Sequence, residues 1–169
     1  MDTPIRMPFF ERRRDNLHIQ KAVQPNGGTA FPARSFVYLS AGILVPVATA
    51  GVLCYGWSPD KSHATTERPP DAIFGVNHWP FDPNGAEFVM NISNSSGAIG
   101  QANSAPQLSA AVVGTSYGIY RNASTGIQFL DVANTTNLFA KVIALYPNQA
   151  LTDYNGLVLV EILPAVIQG

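Results

Sequence analysis

Short apolar runs of strand length alternate along this chain with clusters of turn-forming residues, and no apolar stripe of helical period lasts beyond three turns. Runs of about four to eight residues rich in Val, Ile, Phe and Tyr, bounded by Gly, Pro, Asn, Asp and Ser, predict strands. Phe36–Ala41, Ile43–Thr49 and Val52–Trp57 are three such pieces, cut apart by Gly42 and Gly51. Ala86–Ile92 is a fourth, and the small polar stretch Ser93–Ser104 after it predicts a surface loop. Ala110–Tyr120 and Gly126–Val132 predict two more strands, with turns at Arg121–Thr125 and Asn134–Asn137. Leu138–Tyr146 runs as a strand to Pro147, which has no N–H for a ladder. Asn155-Gly156 predicts a hairpin turn into the last strand, because both residues accept positive φ. In that strand Leu157, Leu159, Glu161 and Leu163 face one way, and Val158, Val160 and Ile162 the other. Both faces are largely apolar, so the strand is expected to be buried on both sides or to lie at a subunit contact.

Composition reinforces the β reading. Glycine (14) and proline (13) are more than a helical protein tolerates, and one cysteine, Cys54, excludes an intramolecular disulfide or a multi-cysteine zinc site. A net charge of −1 creates no field that calls for nucleic acid.

Residues 1–34 differ from the rest. They hold Pro4, Pro8, Pro25, Pro32 and the Gly27-Gly28 pair, and their apolar residues have no sustained period. Such a segment cannot bury enough surface to offset its ordering entropy, so it predicts an extended amino-terminal arm rather than a folding unit. Phe9 and Phe10 beside Arg12, Arg13 and Arg14 suit an arm that docks on a partner, and deletion of residues 1–20 is expected to leave a folded trimer that no longer holds on to that partner. Residues 35–169 then form the β-domain, with 60–85 as a loop-rich insertion.

Ser35–Pro59 carries no charge at all, which opens a rival reading as a membrane span over 36–57. Four glycosylation sequons, at Asn91, Asn94, Asn122 and Asn134, would complete a single-pass membrane glycoprotein. Pro46 in mid-run and the glycines favour strands instead.

Candidate chemistry is sparse. His78 with Asp82 is an orienting pair in principle, and would serve a ligand-binding or hydrolytic β-domain as a further alternative. Cys54 lies in an apolar run with nothing near it in sequence to lower a thiol's pKa. His18, His63 and His78 lack metal-ligand spacing, and no phosphate loop or nucleophile elbow occurs. No cofactor, no metal and no enzymatic activity are expected.

Charge is unevenly distributed. Phe88–Gly169 holds five charges, Arg121, Asp131, Lys141, Asp153 and Glu161, while the other sixteen lie in the first 87 residues. A free monomer keeps roughly a quarter or more of its surface charged. A half so poor in charge is expected to be covered by copies of itself or by a larger partner.

Gly126–Gln168, with GIQFLDVANTT, ALYPNQALTDYNG and LVLVEILPAVIQ in that order, resembles the carboxy-terminal part of tailed-phage capsid decoration (cement) proteins, and AGILVPVATAGVLCYG upstream resembles their β-hairpin region. The resemblance implies an all-β protein with a compact β-barrel or β-tulip/sandwich-like domain. It also implies a homotrimer on the outer surface of the virion capsid, clamping neighbouring major capsid protein subunits and so stabilising the head. Phe9, Phe10 and Arg12–Arg14 would then contact the capsid, and Leu157, Leu159 and Leu163 the trimer or the capsid. Residues 60–85 have no counterpart in the resemblance.

Overall fold

The computed structural model describes residues 2–6, 8–12, 20–22, 30–40, 43–48, 53–58, 76–80, 87–94 and 97–167, with the backbone alone for 9–12, 20–22, 43 and 76–80. Eleven strands form among these residues. They are β1 (Phe9–Arg12), β2 (Gln20–Ala22), β3 (Ser35–Ser40), β4 (Ile43–Pro46), β5 (Gly56–Ser58) and β6 (Val76–Pro80), followed by β7 (Glu87–Ser93), β8 (Ser116–Arg121), β9 (Gln128–Asp131), β10 (Ala140–Leu145) and β11 (Leu157–Ile162). The helical content is three 3₁₀ turns, at Gln101–Asn103, Ala110–Val112 and Pro164–Val166.

Five strands close on themselves. β7 pairs with β11, β11 with β10, β10 with β8 and β8 with β9, all antiparallel, and β9 returns to β7 in parallel through Ile92↔Leu130 and Ser93↔Asp131. The result is a closed five-stranded β-barrel. Closure removes the exposed strand edges that an open sheet would have to protect. Where β9 leaves the edge of β7, β1 takes it over, pairing Phe9↔Val89, Phe10↔Phe88 and Arg12↔Glu87. A separate sheet, in the order β2-β6-β5-β3-β4, gathers five strands that lie between Gln20 and Pro80.

Period-two alternation explains the core. Phe88, Met90 and Ile92 of β7, Val158, Val160 and Ile162 of β11, Ala140 and Val142 of β10, Tyr117 and Ile119 of β8 and Leu130 of β9 form one buried cluster. The register of β10 against β11 shifts between Val142 and Ala144, so Ile143 is an extra residue in the strand. Beyond this bulge Leu145 packs back onto the core.

The second sheet plugs the barrel where β7 and β10 begin. Phe36, Val47, Cys54 and Trp57 belong to the same cluster. The Phe36 ring meets Phe88 edge-on at 5.0 Å and Phe139 at 5.2 Å, and Trp57 lies 6.0 Å from Phe88. Each such pair adds about 0.5–1.5 kcal/mol beyond its area burial. At the opposite end, buried Leu108 packs against Gly156 and donates its N–H to Asp153 O at 2.8 Å.

The all-β expectation holds, with two differences of detail. Ala110–Tyr120 is not one strand: Ser109 caps a 3₁₀ turn through its Oγ, Gly114 turns the chain at φ 83°, and the strand starts at Ser116. The Asn155-Gly156 dipeptide does not close a tight hairpin. β10 and β11 do form a hairpin, but its connection runs from Tyr146 to Gly156, and Asn155 (φ 52°) sits buried within it. In the expected surface loop after β7, Gly97, Ala98 and Gly100 are buried, while Ile99 and Gln101–Ser104 are exposed.

The uncharged run forms β3, β4 and β5, as its pattern predicts, and not the rival span over 36–57; among the described residues no helix is long and apolar enough to cross a membrane. The described residues of the amino-terminal stretch lie against their own chain. Thr3 donates its N–H to Tyr154 O at 3.0 Å, Arg6 N–H to Asn91 Oδ1 at 2.8 Å, β1 extends the barrel and β2 pairs with β6. Backbone groups supply the affinity that its scattered apolar side chains cannot. Of the insertion 60–85, residues 76–80 form β6 in the second sheet; 60–75 and 81–85 lie outside the described residues.

Candidate functional site

Of the reactive groups read from the sequence, Cys54 and the backbone of His78 lie among the described residues. Cys54 is fully buried, its Sγ 3.5 Å from the carbonyls of Val37 and Gly56, and burial pushes its thiol far above the ordinary value. A thiol held neutral in an apolar core is a packing group, not a nucleophile. His78 lies in β6 opposite Gln20 of β2, whereas Asp82 lies outside the described residues. Among the described residues no three His, Cys, Asp or Glu side chains gather as metal ligands.

What the fold does build is a set of fully buried amides that tie its parts together. Gln128, on β9, is one. Its Oε1 accepts from Phe36 N–H at 2.7 Å, and its Nε2 donates to Phe36 O at 3.0 Å and Val47 O at 2.7 Å. The barrel thereby holds β3 and the end of β4 through three hydrogen bonds from a side chain with no exposure. Arg121 adds to the joint, donating through Nη2 to Ala30 O at 2.8 Å and through its backbone N–H to Ala48 O at 2.9 Å.

Asn91 and Asn155 form the second such unit. Asn91 faces outward on β7, yet it is fully buried. Its Oδ1 accepts from Arg6 N–H, and its Nδ2 donates to Asn155 O at 2.6 Å and Pro4 O at 3.3 Å. Asn155 donates through Nδ2 to Ile92 O and Ala98 O, both at 2.9 Å, and accepts from Gly100 N–H at 2.8 Å. Together they join β7, the 97–104 loop, the β10–β11 connection and the amino-terminal segment.

Sequence reasoning read Asn91 as a sequon and did not single out Gln128. The available signal was an amide in a strand whose neighbours are apolar on both sides. All four sequon asparagines serve the fold. Asn94 Oδ1 accepts from Ala98 N–H, Asn122 Oδ1 from Ser124 and Thr125 N–H, and Asn134 Oδ1 from Thr136 and Asn137 N–H.

The residues assigned to contacts are distributed as follows. Phe9, Phe10 and Arg12 lie in β1 against β7; Arg13 and Arg14 lie outside the described residues. Leu157 is only 4% exposed, so its side chain is already covered by its own chain and is unsuited to an intermolecular contact. Leu159 and Leu163 are half-buried on the outer face of β11. Next to them on that face the register places Glu161 opposite Lys141 of β10 and, on the other side, opposite Glu87 of β7.

The surface of the barrel half is where the charge deficit becomes physical. Of the five charged side chains in 88–169, Asp131 is buried, Arg121, Asp153 and Glu161 are half-buried, and Lys141 alone is exposed. Burial raises the pKa of the Asp131 carboxyl, opposed by the N–H groups of Ala133 and Asn134. Ile99, Val113, Leu138 and Leu151 are its exposed apolar side chains, and the remaining surface of this half is mostly Ser, Thr, Asn, Gln, Ala and Pro. No protein-family model, no curated protein and no solved structure matches this chain.

Proposed function

We propose that this chain is a structural virion protein of a phage head, a decoration protein that binds the outside of the shell as a trimer and clamps neighbouring major capsid subunits. The observation that carries the reading is the single exposed charge, Lys141, on the barrel half. A surface of amides, hydroxyls and apolar side chains loses little desolvation energy when covered, because neither face of a contact has to strip water from charges. Such a surface suits wide symmetric contacts, in which many weak interactions sum to high avidity.

Support comes also from the fold. A closed barrel plugged by a second sheet is a rigid block, and its tightest polar networks, at Gln128 and at Asn91–Asn155, are structural. The resemblance of Gly126–Gln168 to decoration proteins adds the partner and the location. Within this reading the outer face of the β10–β11 hairpin, with Ile143, Leu159 and Leu163 around the Lys141–Glu161 pair, is the contact surface.

Purified protein mixed with capsids of the virus that encodes it, then pelleted, tests the proposal. Saturable co-sedimentation in multiples of three copies per site is expected. Protein that stays in the supernatant at concentrations well above that of the capsid sites would contradict it. Leu159→Asp with Leu163→Asp is expected to abolish binding or trimer formation while changing thermal stability little, since both positions are half-exposed.

A further inference from the structure

The Asn155-Gly156 dipeptide, which closes no tight turn, carries a chemistry of its own. In an open chain the peptide nitrogen that follows an asparagine can attack the side-chain carbonyl carbon, and glycine, having no Cβ, crowds that approach least. The Gly156 nitrogen bonds to Asn155 Cγ and gives up its proton; the Cγ–Nδ2 bond breaks, and Nδ2 leaves as ammonia. Water then opens the cyclic imide at either carbonyl and leaves aspartate or isoaspartate at position 155. Folding withdraws every atom that these steps need. Asn155 donates its N–H to Pro106 O at 3.0 Å, and its carbonyl accepts from Asn91 Nδ2 at 2.6 Å. Its Nδ2 is held between Ile92 O and Ala98 O, both at 2.9 Å, while its Oδ1 takes the N–H of Gly100 at 2.8 Å. Gly156 O is fixed in turn by Ile92 N–H at 3.0 Å. Asn155 is 1% exposed and Gly156 is buried. Neither the base that removes the Gly156 proton nor the water that opens the imide reaches them.

We propose that Asn155 is a deamidation site that the native fold keeps closed, and that reaction there in the unfolded chain bars it from the native state. The closure follows from the bonds just given, since the side chain has to leave three of them before Cγ can meet the Gly156 nitrogen. The bar follows from the products. Aspartate puts a carboxylate oxygen where Nδ2 stands, facing Ile92 O and Ala98 O with no hydrogen to share. A buried charge opposed by two carbonyl oxygens is far less favourable than the amide it replaces. Isoaspartate routes the main chain through Cγ and so lengthens it inside a corner without slack. A Cβ built on Gly156 would already stand 2.8 Å from Leu108 Cβ. The chain holds two further Asn-Gly pairs, at Asn26-Gly27 and Asn84-Gly85, which share the same sequence chemistry and serve as internal clocks once the protein is unfolded.

Ageing the full-length protein side by side in buffer and in urea, at the same mildly alkaline pH, tests this. Peptide mass mapping follows the exchange of the amide for a carboxyl, and chromatography of the peptides separates aspartate from isoaspartate. In urea Asn155 is expected to react at a rate similar to Asn26 and Asn84. In buffer it is expected to react at least about a hundred-fold more slowly than in urea, because the corner must open first. The urea-aged sample is then diluted to refold, and the material at the native elution volume is mapped again. Unmodified Asn155 is expected there, with aspartate and isoaspartate at position 155 confined to the chains that fail to refold. Equal rates at position 155 in buffer and in urea would overturn the closure. A refolded fraction that carries the modified residue in the same proportion as the whole sample would overturn the bar.

Discussion

Three buried side chains illustrate what single residues decide in this molecule. Gln128 satisfies Phe36 N–H, Phe36 O and Val47 O with one amide. Replacing it with Leu keeps the volume but leaves the Phe36 N–H buried without its acceptor, while Phe36 O keeps the bond from Val47 N–H. A loss of about 2–4 kcal/mol is expected in urea unfolding, whereas Gln101→Ala on the surface stays within about 0.5 kcal/mol. Asn155 sits at φ 52°, a conformation glycine adopts freely. Asn155→Gly therefore removes only the side-chain bonds, and a loss of about 1–3 kcal/mol in the same assay would show that the amide, not the backbone angle, is what the position needs. Cys54 gives a pH signature. The folded protein holds the thiol protonated to higher pH than the unfolded chain, so above 9.0 the unfolded chain sheds its proton first and stability falls. The expected slope is about 1.4 kcal/mol per pH unit, and it should vanish in Cys54→Ala measured beside the parent.

At the scale of elements, the strands were legible wherever alternation or an apolar run met a turn signal. β3, β4, β7, β9, β10 and β11 fall inside or beside the stretches that pattern predicts, because burial on one or both faces writes itself into side-chain type. What pattern could not show is partnership. Nothing in residues 2–12 states that their backbone will find the edge of β7, since main-chain hydrogen bonds leave no mark on side-chain identity. Asn155-Gly156 misled for a related reason: positive φ is a local demand, but the same dipeptide serves a tight turn or a buried corner of a long connection. The amino-terminal element yields its own prediction. Truncation of residues 1–12 uncovers Asn91 and the edge of β7, so the midpoint of thermal unfolding is expected to fall by several degrees. An unchanged midpoint would mean that this contact contributes no stability.

For the molecule as a whole, the barrel, the plug and the buried amides form the folded block, and the surface of the barrel half is what the proposed function rests on. Among the described residues no three His, Cys, Asp or Glu side chains gather as metal ligands; Asp82 and the side chain of His78 lie outside them. What remains distinctive is a folded surface with one exposed charge in its last 82 residues, a composition that isolated molecules seldom carry. The central claim is that this surface is covered by copies of the chain. Size-exclusion chromatography with light scattering on the purified full-length protein tests it most directly. The account predicts a single species near three times 18.1 kDa; a homogeneous monomer of 18.1 kDa at the same concentrations would contradict it.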